Sequence, residues 1–86
     1  MHINIYAYSG MEVHMVKLTI KEYLDRTKIT RYALAQMTGI KFQTIDNYYK
    51  NKVVRYDSYV LDRICTVLNC SIADIVVYTK DEDGED

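Results

Sequence analysis

Residues 30–49 read TRYALAQMTGIKFQTIDNYY and contain two short helical patterns separated by one glycine. Thr30 precedes the first pattern, where its hydroxyl can accept a hydrogen bond from the helix N-terminus. Leu34, Ala35 and Met37 follow at helical spacing. Gly39 stands where this helix has to end, because glycine adopts a positive φ without a steric penalty. The stretch therefore predicts two helices joined by a tight turn.

The second of these helices carries more polar side chains than packing alone explains. Only Ile40, Ile45 and Tyr48 are predicted to face inward. The side chains predicted to face outward are Phe42, Gln43, Thr44, Asp46 and Asn47. Glutamine and asparagine amides form paired hydrogen bonds with adenine in the major groove of DNA. We therefore interpret the stretch as a helix-turn-helix whose second helix reads base edges.

The charge of the chain is segregated along the sequence. All eleven Lys and Arg residues lie within 15–80 beside six acids, which gives this segment a charge of +5 although the whole chain carries −1. Residues 81–86, DEDGED, hold five carboxylates. The basic segment suits a polyanionic partner such as DNA, and the last six residues are predicted to be a disordered acidic tail.

Size and composition exclude several classes of protein. Eighty-six residues make one small domain. No apolar run is long enough to cross a membrane, and no secretory signal precedes the first helix, so we expect a cytoplasmic protein that contacts no membrane. Cys65 and Cys70 lack a Cys or His partner at ligand spacing, which favours reduced core thiols over a zinc site or a disulfide. We expect no metal and no cofactor.

An extension of 14 residues precedes the domain predicted at 15–80. Within this extension, apolar and polar residues alternate over residues 2–8, which predicts a short strand. A single strand needs a partner strand, either from this chain or from a second copy. An unstructured extension is the alternative interpretation.

The helices outside the central stretch are predicted from their ends. Thr19–Glu22 is a capping box, Asp57 is an N-cap, and Asn69 suits a left-handed stop. The predicted helices are 20–27, 31–38, 42–49 and 58–68. A short fifth helix is predicted after Ser71, with an extended segment at 76–78 as the alternative. These elements predict an all-α, compact five-helix domain, to which a short N-terminal strand can be added.

A set of motifs spread over most of the chain carries a resemblance to a known family. The motifs are Tyr32-Ala-Leu34-Ala35, Gly39-Ile40, Thr44-Ile45, Leu61-Asp-Arg-Ile64-Cys65, Leu68-Asn69-Cys70, Ser71 and Asp74. With them the chain resembles the lambda-repressor-like helix-turn-helix family, also called the Cro/repressor or xenobiotic-response-element type. It is most similar to the small stand-alone bacterial and phage regulators of that family.

The resemblance implies how the domain would meet DNA. The helix at 42–49 is expected to enter the major groove, while the helix at 31–38 lies across the phosphate backbone. The residues expected to contact bases are Lys41, Phe42, Gln43, Thr44, Asp46 and Asn47. The residues expected to contact phosphates are Arg31, Lys50, Lys52 and Arg55.

Three residues depart from the family pattern. Lys41 replaces the usual Ser or Thr at the N-cap, and its ammonium cannot accept a hydrogen bond. Asn51 replaces the usual glycine of the following loop and is the next-best residue for a left-handed turn. Phe42 replaces a polar residue and can read only a thymine methyl group or a stacked ring.

The resulting prediction is a sequence-specific transcriptional regulator, most simply a repressor. One such domain reads few base pairs, so a homodimer on a palindromic site is expected. The candidate dimer contacts are Ile3, Ile5, Tyr6, Tyr8, Val77 and Tyr78. No small-molecule effector is expected, because the chain has no room for a separate sensing domain.

The main alternative is a protein-interaction module on the same fold, such as an antitoxin, an inhibitor of a defence nuclease or an adaptor. An enzyme is disfavoured, because no Ser, Cys or Lys nucleophile has an apparent base beside it.

Overall fold

The computed structural model describes residues 14–80 as four α-helices, one 3₁₀ turn and a two-stranded sheet. The elements in chain order are β1 His14–Leu18, α1 Ile20–Thr27, α2 Arg31–Thr38, α3 Phe42–Tyr49, α4 Ser58–Leu68, the 3₁₀ turn Ile72–Asp74 and β2 Val76–Lys80. The four helices begin and end where the sequence predicted. The all-α, five-helix prediction is wrong, because the fifth helix is a single 3₁₀ turn and the described chain begins and ends in strands.

Two parts of the prediction lie outside the described residues. They are the strand at 2–8, with its dimer contacts Ile3, Ile5, Tyr6 and Tyr8, and the acidic tail at 81–86.

Local backbone chemistry fixes most of the helix ends. Thr30 accepts a hydrogen bond from the first turn of α2 at 3.0 Å, and Asp57 accepts one from the first turn of α4 at 2.9 Å. Gly39 and Asn69 end α2 and α4 with φ of 74° and 53°. These four predicted caps and stops are confirmed, which explains why the helix bounds could be predicted.

The start of α1 differs from the prediction. The Thr19 side chain makes no capping hydrogen bond to its own helix. Its hydroxyl donates instead to the Asp74 carbonyl at 3.2 Å, and its backbone N–H donates to the Ile75 carbonyl at 2.8 Å. The predicted capping box at the start of α1 is therefore wrong, because Thr19 joins α1 to the 3₁₀ turn at the other end of the domain.

The sheet pairs the two ends of the described chain. β1 and β2 are antiparallel, with Leu18 opposite Val76 and Val16 opposite Tyr78. These four side chains share one face, since side chains two residues apart in a strand point the same way. Leu18 is 4% exposed, whereas Val16 and Tyr78 are 54% and 65% exposed. The inner end of the sheet thus covers the core, and its outer end carries apolar side chains in solvent.

The core draws on every helix and on the sheet. The buried apolar residues are Leu18, Ile20, Leu24, Leu34, Ile45, Tyr48, Val60, Ile64 and Ile75. Burial of each aliphatic side chain contributes about 1.5–3 kcal/mol relative to exposure. Two tyrosines lie largely outside this core, since Tyr32 is 70% and Tyr59 60% exposed.

The two cysteines are half-buried free thiols, as predicted. Burial raises the pKa of Cys70 to about 11, so this thiol stays protonated at neutral pH. None of the helices within 14–80 is long and apolar enough to span a membrane.

Candidate nucleic-acid interface

The turn between α2 and α3 is held by a buried hydroxyl as well as by Gly39. Thr38 is 2% exposed, and its hydroxyl donates to the Leu34 carbonyl at 2.8 Å while accepting the Ile40 N–H at 3.2 Å. Arg63 on α4 donates to the Thr38 carbonyl at 3.2 Å. A Cβ at Gly39 would meet no atom within 4 Å, so its positive φ alone calls for glycine. Contacts from α2, from the turn itself and from α4 therefore fix the angle between α2 and α3.

The N-terminal half of α3 presents most of the predicted base-reading residues to solvent. Lys41 and Gln43 are exposed, and Phe42, Thr44 and Asn47 are half-buried. The Gln43 amide donates to the Asn47 amide oxygen at 3.2 Å, one helical turn away. Two amides linked in this way keep donors and acceptors free on one face and limit their rotation. The structure thus links Gln43 and Asn47 on one face of α3, whereas consecutive residues such as Phe42, Gln43 and Thr44 point about 100° apart around the helix.

Asp46 is placed differently from the prediction. This residue is 7% exposed, and its carboxylate pairs with the Arg31 guanidinium at 2.5 Å and with the Lys50 ammonium at 3.1 Å. Hydrogen bonds from Lys50 and from Arg31 hold the pKa of the Asp46 carboxyl below its ordinary value of 3.8. The prediction that Asp46 faces outward is wrong, because two cations compensate a carboxylate turned toward the protein.

Tyr49 extends this cluster of charges to α1. The Arg31 guanidinium carbon lies 4.6 Å from the centre of the Tyr49 ring. The Tyr49 hydroxyl donates to Asp25 at 2.9 Å, and Asp25 pairs with Lys21 at 2.8 Å. The hydrogen bond to Asp25 raises the pKa of Tyr49 above its ordinary value of 10.0. We call the six residues that connect α1, α2 and α3 the Asp46 network: Lys21, Asp25, Arg31, Asp46, Tyr49 and Lys50.

The predicted phosphate-binding residues fall into two groups. Arg31 and Lys50 belong to the Asp46 network, whereas Lys52 and Arg55 are exposed in the loop after α3. Arg31 also lines a groove of about 570 Å³ at the N-terminus of α2, together with Lys28. The Asp25 carboxylate lines the same groove, so the groove carries both signs of charge.

Asn51 joins the loop after α3 to the sheet. Its φ of 58° confirms the predicted left-handed turn. Its side-chain oxygen also accepts the Leu18 N–H at 3.1 Å, so the loop that carries Lys52 is hydrogen-bonded to β1. The sequence alone does not predict this contact, nor the one between Arg63 and the Thr38 carbonyl, because each partner lies on another element.

The predicted dimer contacts Val77 and Tyr78 are both on β2, but neighbouring residues of a strand face opposite sides. Val77 is half-buried and Tyr78 is 65% exposed. Within residues 14–80, no three His, Cys, Asp or Glu side chains lie close enough together to hold a metal ion.

A model of the Cro/C1-type helix-turn-helix DNA-binding domain matches residues 19–81, which include both α2 and α3. The chain belongs to the Cro/C1-type helix-turn-helix family. This membership confirms the predicted resemblance and supports a DNA-binding regulator in general. β1 precedes the matched region of this Cro/C1-type protein. No curated protein and no solved structure matches the chain significantly.

Proposed function

We propose that the protein is a sequence-specific transcriptional regulator, most simply a repressor, that binds a palindromic operator as a homodimer. The observation that carries the proposal is the pair of linked amides, Gln43 and Asn47, on the solvent face of α3. In this arrangement α3 enters the major groove, and Gln43 reads a base edge by paired hydrogen bonds. Lys41, Phe42 and Thr44, at the start of the same helix, are the other residues that we propose to contact bases.

Phosphate contacts come from the cations that flank this surface. Lys52 and Arg55 are exposed in the loop after α3 and are suited to contact the DNA backbone directly. Arg31 and Lys50 reach phosphates from the Asp46 network, where Asp46 orders their side chains rather than reading bases. Each phosphate neutralised adds about 0.9 to the salt dependence of binding, expressed as the slope of log K against log salt concentration.

Dimer formation follows from the small size of the reading surface. One α3 spans only a few base pairs, so useful specificity requires two copies about one helical turn of DNA apart. The outer end of the sheet offers exposed apolar side chains, Val16 and Tyr78, for contact with a second copy. We therefore include the sheet in the proposed dimer interface.

The test is selection of binding sites from random double-stranded DNA, followed by binding measurements over a salt series. Wild type and Gln43→Ala are compared with Gln36→Ala, which removes an exposed glutamine from α2. We expect a palindromic site and steep salt dependence. We also expect that Gln43→Ala loses about 1–3 kcal/mol of discrimination at one base pair per half-site, while Gln36→Ala does not.

The opposite result is weak binding that is equal on all sequences and indifferent to Gln43. That result would overturn the regulator and leave a protein-interaction module as the better explanation of the same fold.

A further inference from the structure

Tyr32 and Phe42 form an aromatic stack on the surface of the helix-turn-helix. Their ring centres are 4.4 Å apart and their planes differ by 17°. Tyr32 is 70% exposed and Phe42 is half-buried. Neither ring is among the core residues or among the partly buried side chains packed against the core. The stack therefore contributes to the surface of the domain rather than to its interior.

The position of the stack relates it to the base-reading surface. Tyr32 is in the first turn of α2, and Phe42 is the first residue of α3. Along the chain Phe42 stands between Lys41 and Gln43, both exposed and both suited to base edges. The stack thus lies at the N-terminal end of α3, where the exposed Lys41 and Gln43 are its neighbours along the chain.

The stack restricts how Phe42 can be used. Tyr32 covers one face of the Phe42 ring, so Phe42 cannot slide between two base pairs as a wedge without breaking the stack. The stack also immobilises a ring that would otherwise change rotamer, which lowers the entropy lost on binding. What remains accessible suits a small apolar group that approaches from the side. In the major groove that group is the C5-methyl of a pyrimidine.

We propose that Tyr32 and Phe42 form a methyl-binding surface that selects a 5-methylpyrimidine in the operator. Phe42 contacts the methyl group, and Tyr32 is a positioning residue that holds the Phe42 ring. This inference rests on the proposed function, because it requires α3 in the major groove. Thymine and 5-methylcytosine present the same methyl group at the same place on the base, so both are possible sources of the ligand.

The experiment uses a duplex selected from random DNA and measures its affinity for the 86-residue chain. Each thymine is replaced in turn by deoxyuridine, which removes only the methyl group. We expect one thymine in each half-site at which this replacement weakens binding about fourfold, the factor for burying one methyl-sized group. At that position, cytosine and 5-methylcytosine are then compared. Tighter binding of thymine than of 5-methylcytosine assigns ordinary DNA as the ligand. Tighter binding of 5-methylcytosine than of thymine assigns methylated DNA, and either result supports the methyl-binding surface.

Protein variants separate contact from positioning. The thymine-to-deoxyuridine ratio of affinities should fall to about one in Phe42→Ala and in Tyr32→Ala, because the first loses the contact and the second loses the stack. Tyr32→Phe keeps a stacked ring and should keep the ratio. Tyr59→Ala removes another exposed tyrosine, on α4, and is the matched control. Since the ratio compares two DNAs with one protein, a smaller folded fraction cancels.

Three results would each remove a different part of the argument. A ratio that persists in Tyr32→Ala would overturn the positioning role of Tyr32. In wild type, the ratio could instead be about one at every thymine of a duplex that is still bound specifically. That result would overturn the methyl-binding surface but not the proposed regulator function. Failure to select any sequence would overturn the proposed function itself.

Discussion

Asp46 gives its two cationic neighbours a structural role. Its side chain is 11% exposed and has a cation on each side, Arg31 from α2 and Lys50 from the end of α3. The carboxylate is stabilised by its cations, and solvent screens both pairs in part, because the Arg31 and Lys50 side chains are 38% and 47% exposed. Arg31 therefore holds α2 against α3, while Lys50 pairs with Asp46 within the same helix, in addition to any contact of either cation with DNA.

We predict that Asp46→Asn lowers the midpoint of thermal unfolding by several degrees at neutral pH, because the amide cannot pair with two cations. The pKa of the Asp46 carboxyl is depressed in the folded protein. Its contribution to stability is thus complete above the ordinary value of 3.8 and is lost as the pH falls through the lowered folded pKa. The difference between wild type and Asp46→Asn should consequently shrink below pH 3.8.

The measurement is thermal unfolding followed by circular dichroism between pH 2 and pH 7, a range of about five units that brackets the carboxyl pKa. Asp62→Asn, an exposed aspartate on α4, is the matched control. Equal stability of Asp46→Asn and wild type at neutral pH would show that the Asp46 network does not hold α2 against α3.

The elements of the fold differ in how far sequence could predict them. The helices could be predicted because their ends are set by residues beside them, such as Thr30 and Gly39. The sheet could not, because β1 and β2 lie at opposite ends of the described chain and stabilise each other only once the domain has formed. The alternative of an extended segment at 76–78 was correct and the fifth helix was wrong. Both outcomes depend on pairing with β1, which is distant in the sequence.

The same distinction applies to the candidate site. Exposure of Lys41 and Gln43 follows from helical spacing alone. The inward position of Asp46 depends on Arg31, which a neighbouring helix supplies. The stack of Tyr32 on Phe42 likewise depends on how α2 meets α3. Contacts between elements were therefore the part of the site that sequence did not predict.

At the level of the element, α3 lacks a side-chain cap at its N-terminus. Lys41 occupies its N-cap and makes no side-chain capping bond. We predict that Lys41→Ser raises the free energy of unfolding by about 1 kcal/mol, because a serine hydroxyl accepts a hydrogen bond from the first turn. Urea unfolding is the measurement, and Lys41→Ala is the control that removes the charge without adding a cap.

The two Lys41 variants also separate stability from DNA binding. Both lack the ammonium group, so both should weaken binding to the selected operator by a similar factor although only Lys41→Ser is stabilised. If Lys41→Ser were no more stable than Lys41→Ala, the N-terminus of α3 would have to be satisfied in another way.

The whole molecule combines a basic domain with an acidic end. Residues 15–80 carry +5, and the five carboxylates of 81–86 and one further acid bring the chain to −1. The last strand ends at Lys80, so these carboxylates follow the folded domain directly in sequence. Charges joined to the domain act at a high effective concentration and oppose the approach of a polyanion.

We predict that deleting residues 81–86 strengthens binding to random DNA, because the net charge changes from −1 to +4 when five carboxylates are lost. The gain should be largest at low salt and should vanish as added salt shortens the screening length, which is about 10 Å at 0.1 M. The matched control keeps the length of the chain and replaces each acid of 81–86 by its amide; it should bind as tightly as the deletion.

Because the tail competes with any DNA while base contacts act only on the operator, both variants should also discriminate less between operator and random DNA. Unchanged affinity for random DNA at low salt in both variants would show that the tail does not compete for the basic surface.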